Sequence, residues 1–90
     1  MATEEQKEKV WNLAKEVPGK DPSLYRQDPY GKILHKPSYG KNSEMGWEVD
    51  HIKPVSKGGS DATRNLQALN TDINRSKGDS LKKRSRHNQR

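Results

Sequence analysis

No stretch of this chain holds more than two consecutive apolar residues (Val10-Trp11 is one such pair), and only 13 of its 90 residues are Leu, Ile, Val or Phe. With a mean hydropathy of −1.35, that shortage falls in the compositional range of chains that stay disordered unless something else orders them. A large core is excluded, and so is a membrane-spanning helix. The absence of cysteine excludes disulfides, thiolate-bound zinc and a cysteine nucleophile. One small domain is expected, held by tight local structure, by a ligand, or by both. The opening Met1-Ala2-Thr3-Glu4-Glu5 has no basic segment with an apolar stretch behind it, so no signal peptide is read and a cytoplasmic location is expected.

Charge is unevenly spread. The net charge is +6, yet residues 1–31 carry five Lys/Arg against six Asp/Glu, and the excess of base lies entirely after them. Residues 80–90 hold Lys82, Lys83, Arg84, Arg86 and Arg90 with no acidic side chain. Basic surface on a small protein points to a polyanion, and a chain this polar is poorly suited to a membrane anchor. Nucleic acid is therefore the expected partner, and no membrane is expected.

The pattern predicts an amphipathic helix from Thr3 to Val17, with Val10, Leu13, Ala14 and Val17 on one face. Thr3 and Gln6 form a capping box, Trp11 anchors the core, and Pro18-Gly19 is the stop. Residues 20–46 are rich in turns. Asp28-Pro29-Tyr30-Gly31 has the residue order of a type I turn, Lys32–His35 follows as a short strand, and Tyr25, Tyr30 and Tyr39 supply packing that aliphatics do not. His35 reads as a surface or hydrogen-bonded histidine. Trp47–Ile52 alternates as a strand, followed by a polar loop over residues 53–64 in which Gly58-Gly59 permits a turn. Leu66–Leu69 is a short apolar segment. A helix starts near Asn70 or Thr71 and stops at Gly78. The expected organisation is an N-terminal helix over 1–19, a domain over 20–79 with its core at 46–79, and a basic tail over 80–90.

Asp50, His51, Asn65 and Asn74 each have an ordinary explanation when taken singly. Their arrangement is what carries weight. The string Trp47-Glu48-Val49-Asp50-His51-Ile52-Lys53-Pro54, with Gly58-Gly59-Ser60-Asp61, then Asn65-Leu66-Gln67-Ala68-Leu69 and Asn74-Arg75-Ser76-Lys77-Gly78, resembles the HNH endonuclease family. The resemblance covers 46–79, and residues 25–40 are similar to the lead-in of small bacterial and phage members. It implies an α+β fold with a ββα-metal core, the N-terminal helix added, and metal-dependent hydrolysis of DNA phosphodiesters. Duplex DNA is the expected partner. One active site serves one strand, so cutting both strands takes a homodimer or two visits.

The residue chemistry agrees. Phosphodiester hydrolysis needs a nucleophilic water, relief of charge on the phosphate, and help for the departing oxygen, and a divalent cation supplies the last two. The resemblance makes Asp50 and Asn74 the metal ligands. It makes His51 the general base, with its second ring nitrogen oriented by a backbone carbonyl; imidazole changes charge close to neutral pH, which suits that role. Asn65 belongs to the catalytic set as the residue that holds the loop. Asn74 stands where the family's namesake pattern has histidine, and its amide oxygen shifts preference from Zn²⁺ or Ni²⁺ toward Mg²⁺ or Mn²⁺. The paired Cys-x-x-Cys staple of many relatives is missing, and the N-terminal helix packed on the hairpin is expected to replace it. Lys53, Lys57, Arg64, Arg75, Lys77, Lys82, Lys83, Arg84 and Arg86 are expected phosphate contacts, and Glu48 shares a strand face with Asp50. Two rivals use the same fold: an inactive DNA- or RNA-binding module, which has no reason to keep Asp50, His51 and Asn74 together, and a nuclease toxin with an immunity partner. A third is a structural protein that uses the N-terminal helix as its interface.

Overall fold

The structure, a computed structural model, describes residues 2–77. Thr3 opens helix α1 (Glu4–Leu13). Its side-chain oxygen accepts from the Gln6 amide at 3.0 Å, while the Gln6 side chain accepts from the Thr3 amide at 2.9 Å. Two of the amides that a helix start leaves unpaired are thereby satisfied. Thr3→Ala is expected to cost about 1 kcal/mol, seen as a lower urea midpoint; an unshifted midpoint would show the box to be dispensable.

The helix is shorter than the 3–17 span expected. At its C-terminal end the Arg26 guanidinium donates to the carbonyls of Ala14 at 3.0 Å and Asn12 at 3.4 Å, placing a cation at the negative end of the helix dipole. The chain then leaves as β1 (Lys15–Glu16), antiparallel to β2 (Tyr25–Gln27). Leu13 is consequently 50% exposed, and the buried residues of α1 are Val10 and Trp11.

The Asp28–Gly31 turn joins β2 to β3 (Ile33–His35), its antiparallel neighbour. The Gly31 amide donates to the Asp28 carbonyl at 3.0 Å, and Gly31 sits at φ +86°, where a side chain is disfavoured. The Asp28 carboxylate does more than turn the chain. Oδ1 accepts from the amides of Tyr30 and Lys32, both at 2.9 Å, and Oδ2 accepts from the amide of Asn70 at 3.0 Å. Burial pushes its pKa up despite these three bonds.

The second sheet is a hairpin of β4 (Trp47–His51) and β5 (Leu66–Asn70), in unbroken antiparallel register from Trp47 opposite Asn70 to His51 opposite Leu66. Helix α2 (Thr71–Lys77) follows at once, capped by Asn70 Oδ1 accepting from the Ile73 amide at 3.1 Å; its expected stop, Gly78, lies outside the described residues. Alternation divides the hairpin into two faces. Trp47, Leu66 and Ala68 join Val10, Trp11 and Leu34 in the core, with Val49 packed against it. The two indoles lie 5.0 Å apart, and Tyr39 meets Trp47 edge-on at 4.9 Å. Aromatics thus fill space that a chain with few aliphatics leaves open, and α1 covers the hairpin as expected. Glu48, Asp50, Gln67 and Leu69 occupy the other face, against which α2 packs. No described helix is long and apolar enough to cross a membrane.

Candidate active site

The loop from β4 to β5 is fastened by one side chain. Asn65 Oδ1 accepts from the Lys53 amide at 2.8 Å, and Nδ2 donates to the carbonyls of Lys53 at 3.1 Å and Ser60 at 2.7 Å. Its own carbonyl accepts from the Ile52 amide at 2.7 Å. An amide with one acceptor and one two-proton donor is suited to both ends of a loop at once. The close approach also dictates the glycines. A Cβ on Gly59 would stand 1.8 Å from the Lys53 carbonyl oxygen, and Gly58 adopts φ +89°.

The clamp sits at the end of β4, where Asp50 and His51 are the last two residues. Consecutive strand residues face opposite ways, so the pair splits. His51 turns toward the loop, and its Nε2 meets Asp61 Oδ1 at 2.7 Å. An ionised carboxylate only accepts, so Nε2 carries a proton, and in the neutral ring Nδ1 keeps its lone pair; among the described residues Nδ1 has no partner. The orienting acceptor is therefore the Asp61 carboxylate and not the backbone carbonyl expected. The polar loop brings Asp61 within reach, and a charge-assisted bond is the stronger of the two.

On the other face Asp50 is buried, and its Oδ2 accepts from Nε2 of Gln67, directly across the ladder, at 3.0 Å. Glu48 lies two residues back on the same face. Its Oε1 accepts from Asn74 Nδ2 at 3.0 Å, and its Oε2 accepts from Arg75 at 3.0 Å. The α2 crossing thus places Asn74 against the carboxylate face of the hairpin. The hairpin, the long clamped loop and the crossing helix form a ββα unit with Asp and His ending its first strand. Over residues 37–80 the sequence matches the family model described as HNH endonuclease. This segment belongs to the HNH endonuclease family. No curated protein and no solved structure gives a significant match.

Within the HNH domain the donor atoms suit a hard cation. The Asp50 carboxylate and the Asn74 amide are oxygen donors, and the bond from Asn74 Nδ2 to Glu48 turns Oδ1 to the opposite side of that amide. No three His, Asp or Glu side chains gather into a metal-holding group among the described residues. A small set of oxygen donors is the kind that Mg²⁺ or Mn²⁺ accepts, since these ions keep several waters.

The basic residues behave differently from one another. Lys53 and Arg64 line a shallow pocket of about 580 Å³ with Gly58, Gly59, Ser60 and Asn65, and Lys57 lies on the same loop, in a 3-10 turn. Arg75, expected on phosphate, is engaged with Glu48 and with Asn42 Oδ1 at 3.1 Å. The Lys77 side chain and all of Lys82, Lys83, Arg84 and Arg86 lie outside the described residues. Sequence reasoning passed over Asp61 and Gln67 as actors. Both lie inside the matched string, but only the fold pairs one with His51 and the other with Asp50.

Proposed function

We propose that this HNH domain is a metal-dependent endonuclease that hydrolyses DNA phosphodiester bonds. The observation carrying this reading is His51, tethered through Nε2 and with no Nδ1 partner among the described residues, at the end of the strand that also bears Asp50. His51 Nδ1 takes a proton from the attacking water. Asp50 and Asn74 would hold one divalent cation, Mg²⁺ or Mn²⁺ by their oxygen donors. Such a cation would supply relief of charge on the phosphate and help for the departing 3′ oxygen. Gln67 fixes the Asp50 carboxylate, Glu48 sets the rotation of the Asn74 amide, and Asn65 keeps the loop that carries Asp61 in place. Lys53, Lys57 and Arg64 contact the DNA backbone from that loop, and the basic tail adds charge that tracks phosphates. Hydrogen bonds and charge supplied by fixed groups are the main resources for such a reaction.

Supercoiled plasmid incubated with the protein tests the reading directly. Conversion to nicked or linear product is expected with Mg²⁺ or Mn²⁺, and its loss on adding excess chelator. Intact plasmid under every metal condition would refute it.

A further inference from the structure

We infer that Asp61 is a positioning residue for the general base, holding the His51 ring by its carboxylate so that Nδ1 faces the water. The inference rests on the proposed function for its kinetic consequence and on the 2.7 Å contact alone for its structural one. Left to itself, an imidazole on a strand end rotates about χ2 and distributes its proton over both nitrogens. A fixed acceptor at Nε2 selects one tautomer and one ring orientation. His51 has no other ring partner among the described residues, so Asp61 alone does this work. When Nδ1 takes a proton from water the ring becomes an imidazolium protonated on both nitrogens, and Asp61 stays ionised, still accepting from Nε2. Its side chain is 77% exposed, so solvent screens the charge and the chief effect is orientation. Asp61 arrives there because Asn65 fastens the loop at Lys53 and Ser60, and Ser60 is its immediate neighbour.

The same exposure makes the test clean, because Asp61→Ala removes little packing and Asp61→Asn retains an oxygen that can rotate to accept from Nε2. Asp61→Ala is expected to lower kcat by roughly 10–10²-fold, a part of the 10²–10⁴ that a general base supplies, without raising KM. Asp61→Asn is expected to recover most of that loss. Damage to the loop would instead raise KM, since Lys53 and Arg64 lie on it. The second readout needs neither metal nor DNA. In ¹⁵N-resolved spectra of the metal-free protein at alkaline pH, the wild-type and Asn rings are expected in the Nε2–H tautomer and the Ala ring in a mixture. An unshifted tautomer ratio in Asp61→Ala overturns the inference, as does an unchanged kcat, or an Asn variant no faster than Ala. The tautomer comparison decides the contact by itself, so a protein that cut no DNA would sink the function and leave this contact separately measured.

Discussion

Replacing His51 with Ala is expected to slow plasmid cleavage by roughly 10²–10⁴-fold, the usual contribution of a positioned general base. The side chain is 31% exposed at the rim of the hairpin, so its loss leaves the core, the Asn65 clamp and the Asp50–Gln67 bond standing. DNA affinity, measured by anisotropy in Ca²⁺, is expected to stay near the wild-type value, because the loop cations and the oxygen donors are untouched. The separation of the two quantities is the point of the experiment. Cleavage within a few-fold of wild type would move the base elsewhere, and a parallel fall in affinity would make His51 a binding residue.

The largest effect on stability is expected at Asp28, a residue with no proposed part in the chemistry. Asp28→Ala leaves three backbone amides without their acceptor, those of Tyr30, Lys32 and Asn70. An unsatisfied buried donor costs about 1–3 kcal/mol, so a loss of about 3 kcal/mol or more is expected in urea denaturation, a large part of what a domain this small possesses. Asp28→Asn is expected to be intermediate, because its amide protons meet the Asn70 amide where an oxygen stood. The acid has a pH signature as well. Burial raises its pKa in the folded protein above the ordinary 3.8, so the native state binds this proton more tightly than the unfolded chain does. Its contribution is then fully present below pH 3.8 and declines as pH rises through the folded value. The stability difference between wild type and Asp28→Ala should shrink across that interval; a difference that widened would reverse the sign of the burial effect.

Local features of this fold could be read from adjacent residues. The Thr3–Gln6 capping box, the Asp28–Gly31 turn and the alternation of Trp47 to Asp50 each depend on neighbours within a few positions, and each is present. The ββα unit was legible because its motif spans the loop at fixed spacing. What sequence did not convey are contacts made by side chains far apart along the chain. Arg26 ends α1 by reaching carbonyls 12 and 14 residues back, so a helix pattern that runs to Val17 stops at Leu13. Asp28 looks like a turn former, and nothing near it announces a bond to Asn70, 42 residues on. Asp61 and Arg75 show the same limit at the site. A loop carboxylate and a helix arginine have no local signal for a partner: Asp61 acquires His51 only when the clamped loop folds back on β4, and Arg75 acquires Glu48 only when α2 crosses the hairpin.

The two tryptophans of this chain give its main interface an optical voice. Trp11 belongs to α1 and Trp47 to the first strand of the β4–β5 hairpin, with ring centroids 5.0 Å apart and planes inclined at 45°. Indoles so close and so oriented couple their electronic transitions, which produces an exciton couplet in the circular dichroism that neither ring gives alone. Because no other tryptophan exists, that couplet reports whether α1 is seated on the hairpin without any label being attached. Detachment of the helix can then be timed separately from loss of the strands, within one unmodified molecule.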